Sequence, residues 1–331
     1  MKSHLLKIGL TALIALLLLA CGQTTASAPQ VEPLPTSLPA TAAYEPSPTP
    51  QLEAIELTDG LGREISLAQP AQQIVSLAPS NTEILYAVGA GGQVIGRDEF
   101  SDFPIAAQEV TNIGGGFGEL NMETIVSLQP DLVLAADLTP PEQIEAIEKL
   151  GLAVYALPNP VTLDGMYENL KTVGQLTGHS QEAEQLVQGL QNRVSAVETK
   201  VSQVEERPLV FYELDSTDPD APWTAGPNTF IDTLIRMAGG TNLGGSMQDA
   251  WTQVSVEELL VQNPEMIVLG DATWGGVTLE DVQARESWAG MQAVEEGKIY
   301  TFDDNLVSRP GPRMVDGLEA FAKLFHPELF N

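Results

Sequence analysis

The sequence predicts an α/β protein of two similar α/β lobes, with mainly parallel sheets, joined by one long spanning helix. Three observations lead to this prediction. Short apolar runs alternate with helical patterns in both halves of the chain, a long apolar stripe at helical spacing lies between the halves, and one segment of the first half returns in the second. Alternation of strands and helices is typical of parallel sheets covered by helices.

The front of the chain has the pattern of an export signal. Lys2 and Lys7 precede an apolar run, residues 8–20, that is too short for a membrane-spanning helix. Cys21, the only cysteine, ends the run, so cleavage before it would leave it as the new N-terminus. This pattern resembles the bacterial lipoprotein signal, in which the cysteine is lipidated. An ordinary signal peptide with a chance cysteine is the alternative. Neither case leaves a disulfide within the mature chain.

Residues 21–50 predict an extended tether. They hold seven of the 23 prolines, together with many Ser, Thr and Ala residues, and this composition cannot build a core. The expected organisation is a signal peptide over residues 1–20, the tether over 21–50, an N-terminal lobe over 51–160, helices that include the spine over 161–206, and a C-terminal lobe over 207–331.

Each lobe contains candidate strands separated by candidate helices. The Ser80–Glu83 spacing is a capping-box pattern that predicts the start of one helix, and Pro141 opens another that continues through residue 150. A further helix is expected over residues 228–238, before a pair of glycines. The predicted strands are residues 74–77, 94–97, 132–136, 154–157, 209–214, 266–269 and 299–302.

A long helix is predicted between the lobes, from residue 181 to about residue 206. Ser180 can cap it and Pro208 stops it. A single apolar stripe follows its length at spacings of three and four residues. The stripe consists of Val187, Leu190, Val194, Val197, Val201 and Val204. A coiled coil would show the same stripe, but a spine packed along both lobes fits one short copy between two α/β halves better.

Residues 117–137 align without a gap with residues 251–271. Each copy reads as a loop, a short helix that ends before a proline, and a strand, and Ser255 offers a capping box to the second helix. Glu123 and Glu257 occupy matching positions in the first helical turn, where a carboxylate also complements the helix dipole. That explanation treats each glutamate separately. It does not explain why Phe117 and Trp251 precede the two glutamates at the same spacing.

The charge balance excludes some classes of partner. The chain has 45 acidic and 15 basic residues, a formal charge of −30. Nucleic acid is therefore not an expected partner, since phosphate binding needs clustered Lys and Arg. The excess of acidic residues is explained most simply as a solvated surface that keeps the protein soluble. Attraction to a basic partner surface is the second explanation.

Few residues are available for metal binding or catalysis. Only three histidines are present, one of them in the signal, and the lone cysteine lies at the cleavage point. Direct metal binding and Ser–His–Asp or Cys–His catalysis are therefore not expected. An exported, acid-rich carbohydrate-active hydrolase remains the alternative function, because a glycosidase needs only two carboxylates across a cleft.

Several motifs, in this order, resemble those of a known family. They are IVSLAPSNTE at 74–83, FSDFP at 100–104, NME at 121–123, LQPD at 128–131, WTAGP at 223–227, WTQVSVE at 251–257, RPGPR at 309–313 and HPELF at 326–330. Together, behind a lipidation signal, they resemble the solute-binding proteins of ABC importers for cobalamin, ferric siderophores and haem, also called helical-backbone receptors. The resemblance covers residues 57–330 and implies two α/β lobes joined by one long helix.

The resemblance also implies partners. It implies that one glutamate on each lobe docks onto arginines of the membrane permease, and Glu123 and Glu257 match those positions. The expected partners are thus an ABC importer permease and its ATPase, a small-molecule chelate, and the membrane through a lipid on Cys21. The protein is expected to be a monomer at the outer face of the cell membrane, without enzymatic activity or a cofactor, although the ligand can itself contain cobalt or iron.

The resemblance further implies a ligand site between the lobes. By position, Phe100 and Phe117 on the first lobe and Trp223 and Trp251 on the second match aromatic residues of the cobalamin-binding members. Arg309 and Arg313 are expected to contact polar groups of the ligand, with a salt bridge to one of the many acids as the alternative. So few arginines favour a bulky, weakly charged ligand such as a corrinoid, followed closely by ferric siderophores and haem.

Overall fold

The computed structural model describes residues 54–116 and 118–330. The predicted signal peptide, the tether with Cys21, and Phe117 therefore lie outside the described residues. The described chain has the predicted architecture of two α/β lobes with parallel sheets. None of its described helices combines the length and the apolar character needed to cross a membrane.

The N-terminal lobe is built on a parallel sheet. The strands are β1 Ile55–Thr58, β2 Glu64–Leu67, β3 Ile74–Ser76, β4 Val94–Arg97, β5 Thr111–Asn112, β6 Leu132–Ala136 and β7 Val154–Leu157. The strands β1 and β2 form an antiparallel hairpin, and the other five form a sheet of order β5-β4-β3-β6-β7. The four strands predicted for this lobe are confirmed to within one residue, whereas β1, β2 and β5 were not predicted.

Alternate residues of β6 enter two different cores. Leu132 and Leu134 pack into the core that the lobe shares with the long helices, whereas Val133 and Ala135 pack on the opposite face. This alternation is the two-residue period of a strand. Burial on both faces explains why the strand reads as one continuous apolar run.

Three helices cover this sheet: α1 Pro79–Ala87, α2 Met122–Leu128 and α3 Pro141–Lys149. The capping box predicted at Ser80 is wrong. The helix α1 begins at Pro79, and Ala78 is its N-cap without a side-chain hydrogen bond. Proline is favoured in the first turn because its missing N–H has no helical partner there. Glu83 is consequently free of a capping role and is buried within α1.

Two helices, α4 Leu163–Thr177 and α5 Ser180–Val201, connect the lobes. The spine is α5, but Ser180 is its first residue rather than its cap, and it ends at Val201 rather than near residue 206. The predicted stripe is buried from Val187 to Val201, and Val204 lies beyond the helix end and is half-buried. The 22 residues of α5 correspond to about 33 Å.

The C-terminal lobe repeats the architecture. Its strands are β8 Leu209–Glu213, β9 Trp223–Ala225, β10 Thr241–Asn242, β11 Trp251–Gln253, β12 Met266–Leu269 and β13 Ile299–Thr301. Its helices are α6 Phe230–Met237, α7 Val256–Gln262, α8 Ala272–Gly275, α9 Leu279–Gln283, α10 Gln292–Glu295, α11 Asn305–Ser308 and α12 Met314–Phe325. The parallel sheet has the order β10-β8-β12-β13, and β9 pairs with β11 as an antiparallel ribbon that was not predicted.

One continuous core runs through both lobes. It contains Leu134 of the first sheet, Leu170 of α4, Val194 of α5 and Tyr212 of the second sheet. Arg193 of α5 also donates hydrogen bonds to two carboxylates of α12. The long helices are therefore packed into both lobes, which supports the spine prediction over the coiled coil.

The two aligned segments fold alike, as α2 followed by β6 and α7 followed by β12. The side chains of Asn121 and Ser255 each accept a hydrogen bond from the backbone N–H three residues later, at 3.0 and 3.2 Å. Each helix ends at a non-glycine residue in the left-handed region, Gln129 at φ 52° and Asn263 at φ 50°. The capping box predicted at Ser255 forms only in part. The Ser255 hydroxyl accepts a hydrogen bond from the Glu258 N–H, but the Glu258 carboxylate accepts one from the Gln262 side chain rather than from the Ser255 N–H.

Candidate functional site

A cleft of about 570 Å³ lies between the two lobes. Leu77, Asp98 and Asp137 line it directly after β3, β4 and β6, and Leu214 lines it directly after β8. The cleft therefore lies at the carboxyl ends of parallel strands of both sheets. Open α/β sheets bind ligands in this position, so the cleft is the candidate binding site.

Aromatic side chains from both lobes line the cleft, and they include Phe100 and Trp251, whose contact with a ligand stays a prediction. Phe100 of the N-terminal lobe is 42 % exposed and Trp251 of the C-terminal lobe 43 %. The Trp251 ring packs edge to face on Phe230, with ring centroids 6.2 Å apart. A Cβ atom on Gly116 would overlap the Phe100 ring, so the glycine-rich loop allows this ring to pack closely.

The β9–β11 ribbon positions Trp251. In the register of this antiparallel pair, Trp251 lies opposite Ala225 and Gln253 lies opposite Trp223. Because opposed residues share a face, Trp223 and Trp251 lie on the same face of the ribbon. A Cβ atom on Gly226 would lie 2.0 Å from the Asp249 carbonyl oxygen, so only glycine fits beside this ribbon.

Trp223 is not among the residues that line the cleft. It is 39 % exposed and lies diagonally from Trp251 in the ribbon, where diagonal neighbours are about 7–8 Å apart. Its contact with a ligand stays a prediction, as does that of Phe117, which the structure does not describe. Trp274 is 58 % exposed and does not line the cleft either.

Arg309 and Arg313 reach across the lobe boundary to Glu83 of α1. Arg309 Nη1 donates to Glu83 Oε1 at 3.2 Å and to Asp102 Oδ1 at 2.6 Å. Arg313 donates to both Glu83 oxygens, at 2.7 and 2.5 Å, and its guanidinium lies 4.1 Å from the Phe103 ring centroid. Arg309 lines the cleft but Arg313 does not. The alternative of a salt bridge is thus realised for both arginines, and ligand contact stays a prediction.

These contacts shift the ionisation of several groups. Burial acts to raise the pKa of Asp102, but the hydrogen bond and charge of Arg309 outweigh it and lower the pKa below its ordinary value. Burial acts to lower the pKa of Arg313, and Glu83 overcomes this effect so that the pKa is raised. Burial raises the pKa of Asp98, although backbone and hydroxyl donors partly oppose it.

Sequence reasoning missed three acidic residues around the cleft. Glu83 was assigned to a helix cap, and Asp98 and Asp102 were not singled out. Asp98 is buried, lines the cleft and accepts hydrogen bonds from the Phe100 N–H and the Ser101 hydroxyl. Asp98 could have been identified from the sequence by its position directly after a predicted strand, β4. Asp137 likewise follows a predicted strand, β6.

Glu123 and Glu257 occupy equivalent, exposed positions as the second residues of α2 and α7. Within the described residues, neither carboxylate has a hydrogen-bond or ion-pair partner. Val126 and Leu260 follow them on the same helix faces and are also exposed, at 44 and 40 %. Each lobe thus presents a carboxylate beside an aliphatic side chain to solvent, and the docking role of the two glutamates stays a prediction.

The described lining of the cleft contains no cluster of metal-ligating side chains, and its only carboxylates are Asp98 and Asp137. In the described part of the chain, no group of three or more His, Cys, Asp or Glu residues is arranged to hold a metal ion. Arg309 is the only cationic residue among the described residues that line the cleft, and His, Cys, Met and Tyr are absent from that lining. The described walls are mainly apolar, with isolated hydroxyl, amide and carboxylate groups.

Comparison with known proteins agrees with this geometry. Residues 74–306 match the periplasmic binding protein family. The chain is 30% identical over 282 residues to the uncharacterized ABC transporter substrate-binding lipoprotein YvrC of Bacillus subtilis, covering 84% of this chain and 87% of that protein. It is 29% identical over 278 residues to a cobalamin-binding protein of Halobacterium salinarum, covering 81% of this chain and 73% of the relative.

A solved structure shows the same fold. The periplasmic heme-binding protein RhuT from Roseiflexus sp. RS-1 superposes with a TM-score of 0.70 at 26% identity, covering 78% of this chain and 99% of that one. The family consists of solute receptors rather than enzymes, which confirms the prediction of no enzymatic activity and removes the hydrolase alternative. The chain therefore belongs to the periplasmic binding protein family of ABC-transporter substrate-binding proteins.

Proposed function

We propose that the protein captures a bulky, neutral or cationic metal chelate, with a cobalamin or other corrinoid favoured, and delivers it to an ABC importer permease and its ATPase. The observation that carries this proposal is the lining of the cleft. Phe100 and Trp251 face it from opposite lobes, and its one described cation, Arg309, is already bound by two carboxylates. Aromatic walls suit a large ligand that offers extended apolar area.

The charge of the cleft argues against a strongly anionic chelate. Asp98 and Asp137 line it in addition to Arg309, whose charge Glu83 and Asp102 offset. A tris-catecholate iron chelate carries several negative charges and would meet no free cation among these described residues. Like charges in a partly desolvated cleft oppose binding. A corrinoid with amide side chains avoids this repulsion.

The absence of axial ligands from the described lining favours a corrinoid over haem. Proteins hold haem iron through His, Cys, Met or Tyr side chains, and no such residue is found among the described residues that line the cleft. A cobalamin carries its own axial ligand and needs none from the protein. The haem-binding neighbour keeps haem as the second candidate, and the ligand experiment below includes it.

We infer that a lipid on Cys21 holds the receptor at the outer face of the membrane and that the protein acts as a monomer. The named lipoprotein relative supports the anchor. Glu123 and Glu257 are the proposed permease contacts, since one exposed carboxylate on each lobe can meet paired arginines on a two-fold permease.

Isothermal titration with cyanocobalamin, haemin, ferrioxamine B and ferric enterobactin tests the ligand. We expect cyanocobalamin to bind with a Kd of about 1 μM or tighter, and Trp251→Ala to weaken it at least tenfold. Trp274→Ala is the matched control, because Trp274 is exposed and lies outside the cleft lining. Binding of haemin or enterobactin but not cyanocobalamin would contradict the corrinoid assignment.

Uptake by whole cells tests the docking. The double variant Glu123→Lys, Glu257→Lys should abolish uptake and leave ligand binding unchanged. The control is Glu142→Lys, because Glu142 is likewise an exposed second residue of a helix, α3. Each substitution loses a similar helix-dipole contribution of about 0.3–1 kcal/mol. Equal uptake by the double variant and by Glu142→Lys would contradict the docking proposal.

A further inference from the structure

The cationic residue lining the cleft is bound by carboxylates of the opposite lobe. Arg309 comes from the C-terminal lobe, and its Nη1 contacts Glu83 Oε1 at 3.2 Å and Asp102 Oδ1 at 2.6 Å. The Arg309 side chain is 14% exposed, so part of its charge reaches the cleft. Its interaction with a ligand therefore depends on how completely those two carboxylates offset it.

The two carboxylates differ in the rest of their contacts. The Glu83 side chain is 1 % exposed and also binds Arg313, so it holds the two lobes together. The Asp102 side chain is 56% exposed, and Arg309 is the one cation it contacts among the described residues. Asp102 is thus the carboxylate whose charge can be removed with the least effect on packing between the lobes.

The charges around the cleft sum to a negative value. The ion-paired group of Glu83, Asp102, Arg309 and Arg313 is neutral, since it holds two carboxylates and two guanidinium groups. Asp98 and Asp137 line the cleft outside that group. Neither carboxylate forms an ion pair with a described residue.

We propose that Glu83 and Asp102 determine the charge specificity of the cleft, by offsetting Arg309 so that neutral and cationic chelates are accepted and anionic ones rejected. This inference rests on the proposed function and assigns its preference for neutral and cationic chelates to two named residues. Without Asp102, Arg309 would be offset less completely, so the cleft would repel an anion less strongly. The aromatic walls would contact neutral and anionic chelates of the same shape equally well. The discrimination between these two classes of ligand therefore comes from charge rather than shape.

The expected size of the effect follows from Coulomb's law. A unit charge about 6 Å from a ligand carboxylate, in an effective dielectric constant of about 40, changes an affinity roughly tenfold. Solvent reaches Asp102, and this screening reduces the effect. We therefore expect a change of about threefold to tenfold at low ionic strength, decreasing as salt is added.

The test compares two ligands of the same shape and different charge. Cyanocobalamin is neutral, and its monocarboxylate, with one side-chain amide hydrolysed, carries one negative charge. The measured quantity is the ratio of the two Kd values, for the wild type, Asp102→Asn, and the control Glu184→Gln. Asparagine keeps an acceptor for Arg309 but removes the charge. Glu184 is exposed on α5 and contacts no described cation, so the control makes the same charge change elsewhere.

The wild type and the control should disfavour the monocarboxylate, and Asp102→Asn should lower the ratio threefold to tenfold. A purely structural role of Asp102 would change both affinities together and leave the ratio constant. The ratio therefore separates charge selection from loosening of the lobes.

A second probe pair makes the test independent of the corrinoid assignment. 8-Anilinonaphthalene-1-sulfonate and N-phenyl-1-naphthylamine share an aromatic frame, and only the first carries a sulfonate. If cyanocobalamin fails to bind the wild type, the proposed ligand is wrong, and the naphthylamine pair still measures charge selection. Asp102→Asn should favour the sulfonate by the same factor. An unchanged ratio in both pairs overturns the charge-specificity proposal.

Discussion

Replacing Glu83 with glutamine should destabilise the protein strongly, because Glu83 is a buried charge shared by two arginines across the lobe boundary. The carboxylate accepts three hydrogen bonds, at 3.2 Å from Arg309 and at 2.7 and 2.5 Å from Arg313. The three side chains are 1, 14 and 13% exposed. Removing one partner of such a buried pair costs about 3–5 kcal/mol.

The expected value lies toward the lower end of that range, at about 3 kcal/mol, because Arg309 keeps Asp102 and both arginines retain some solvent contact. Urea unfolding followed by far-ultraviolet circular dichroism measures the loss, with an unchanged denaturant slope. The control Glu142→Gln removes an exposed carboxylate and should cost less than about 1 kcal/mol. A loss below about 1 kcal/mol for Glu83→Gln would show that solvent screens this contact, and would refute the reasoning.

Three further substitutions test other parts of the structure. Burial raises the pKa of the Asp271 carboxyl group in the folded protein. The stability that Asp271 contributes is therefore present below the pKa of about 4 of an unfolded aspartate, and it is lost as the pH rises through the pKa of Asp271 in the folded protein. Thermal melts should therefore show Asp271→Asn gaining on the wild type between pH 4 and pH 7, and a constant difference would contradict this. Gly226→Ala should cost about 2–3 kcal/mol in urea unfolding and weaken ligand binding, because its methyl group would overlap the Asp249 carbonyl oxygen beside Trp251; wild-type stability would contradict the overlap. Leu190→Ala in α5 should cost about 2–5 kcal/mol by the same measurement, and a smaller loss would mean that α5 is not part of the shared core.

The elements that could be predicted are those whose signal is local. β6, β7 and β12 have the predicted bounds because each is a largely apolar run buried on both faces. The end of α5 could not be predicted, since the apolar spacing continues to Val204 although the helix ends at Val201. Tertiary structure decides that point, because the chain must leave the helix to enter β8.

The cleft was predicted less completely than the fold, and for a physical reason. Phe100 and Trp251 could be found because a repeated pattern and an aligned motif mark them. Glu83 could not, because its partners Arg309 and Arg313 lie 226 and 230 residues away in the chain. Its spacing from Ser80 instead imitated a capping box. An ion pair between distant segments leaves no periodicity in a sequence.

The core that runs through both lobes has a consequence for competition at the membrane. The helices α2 and α7 pack through Ile125 and Leu259 on the faces of the two sheets that point away from this core. We therefore expect the core, rather than the ligand, to set the separation of Glu123 and Glu257. Under the docking proposal, an empty receptor would then present the same pair of glutamates to the permease as a loaded one. The two forms would compete for the permease. Transport would depend on the ratio of loaded to empty receptors, and overproducing the receptor at scarce ligand would slow uptake.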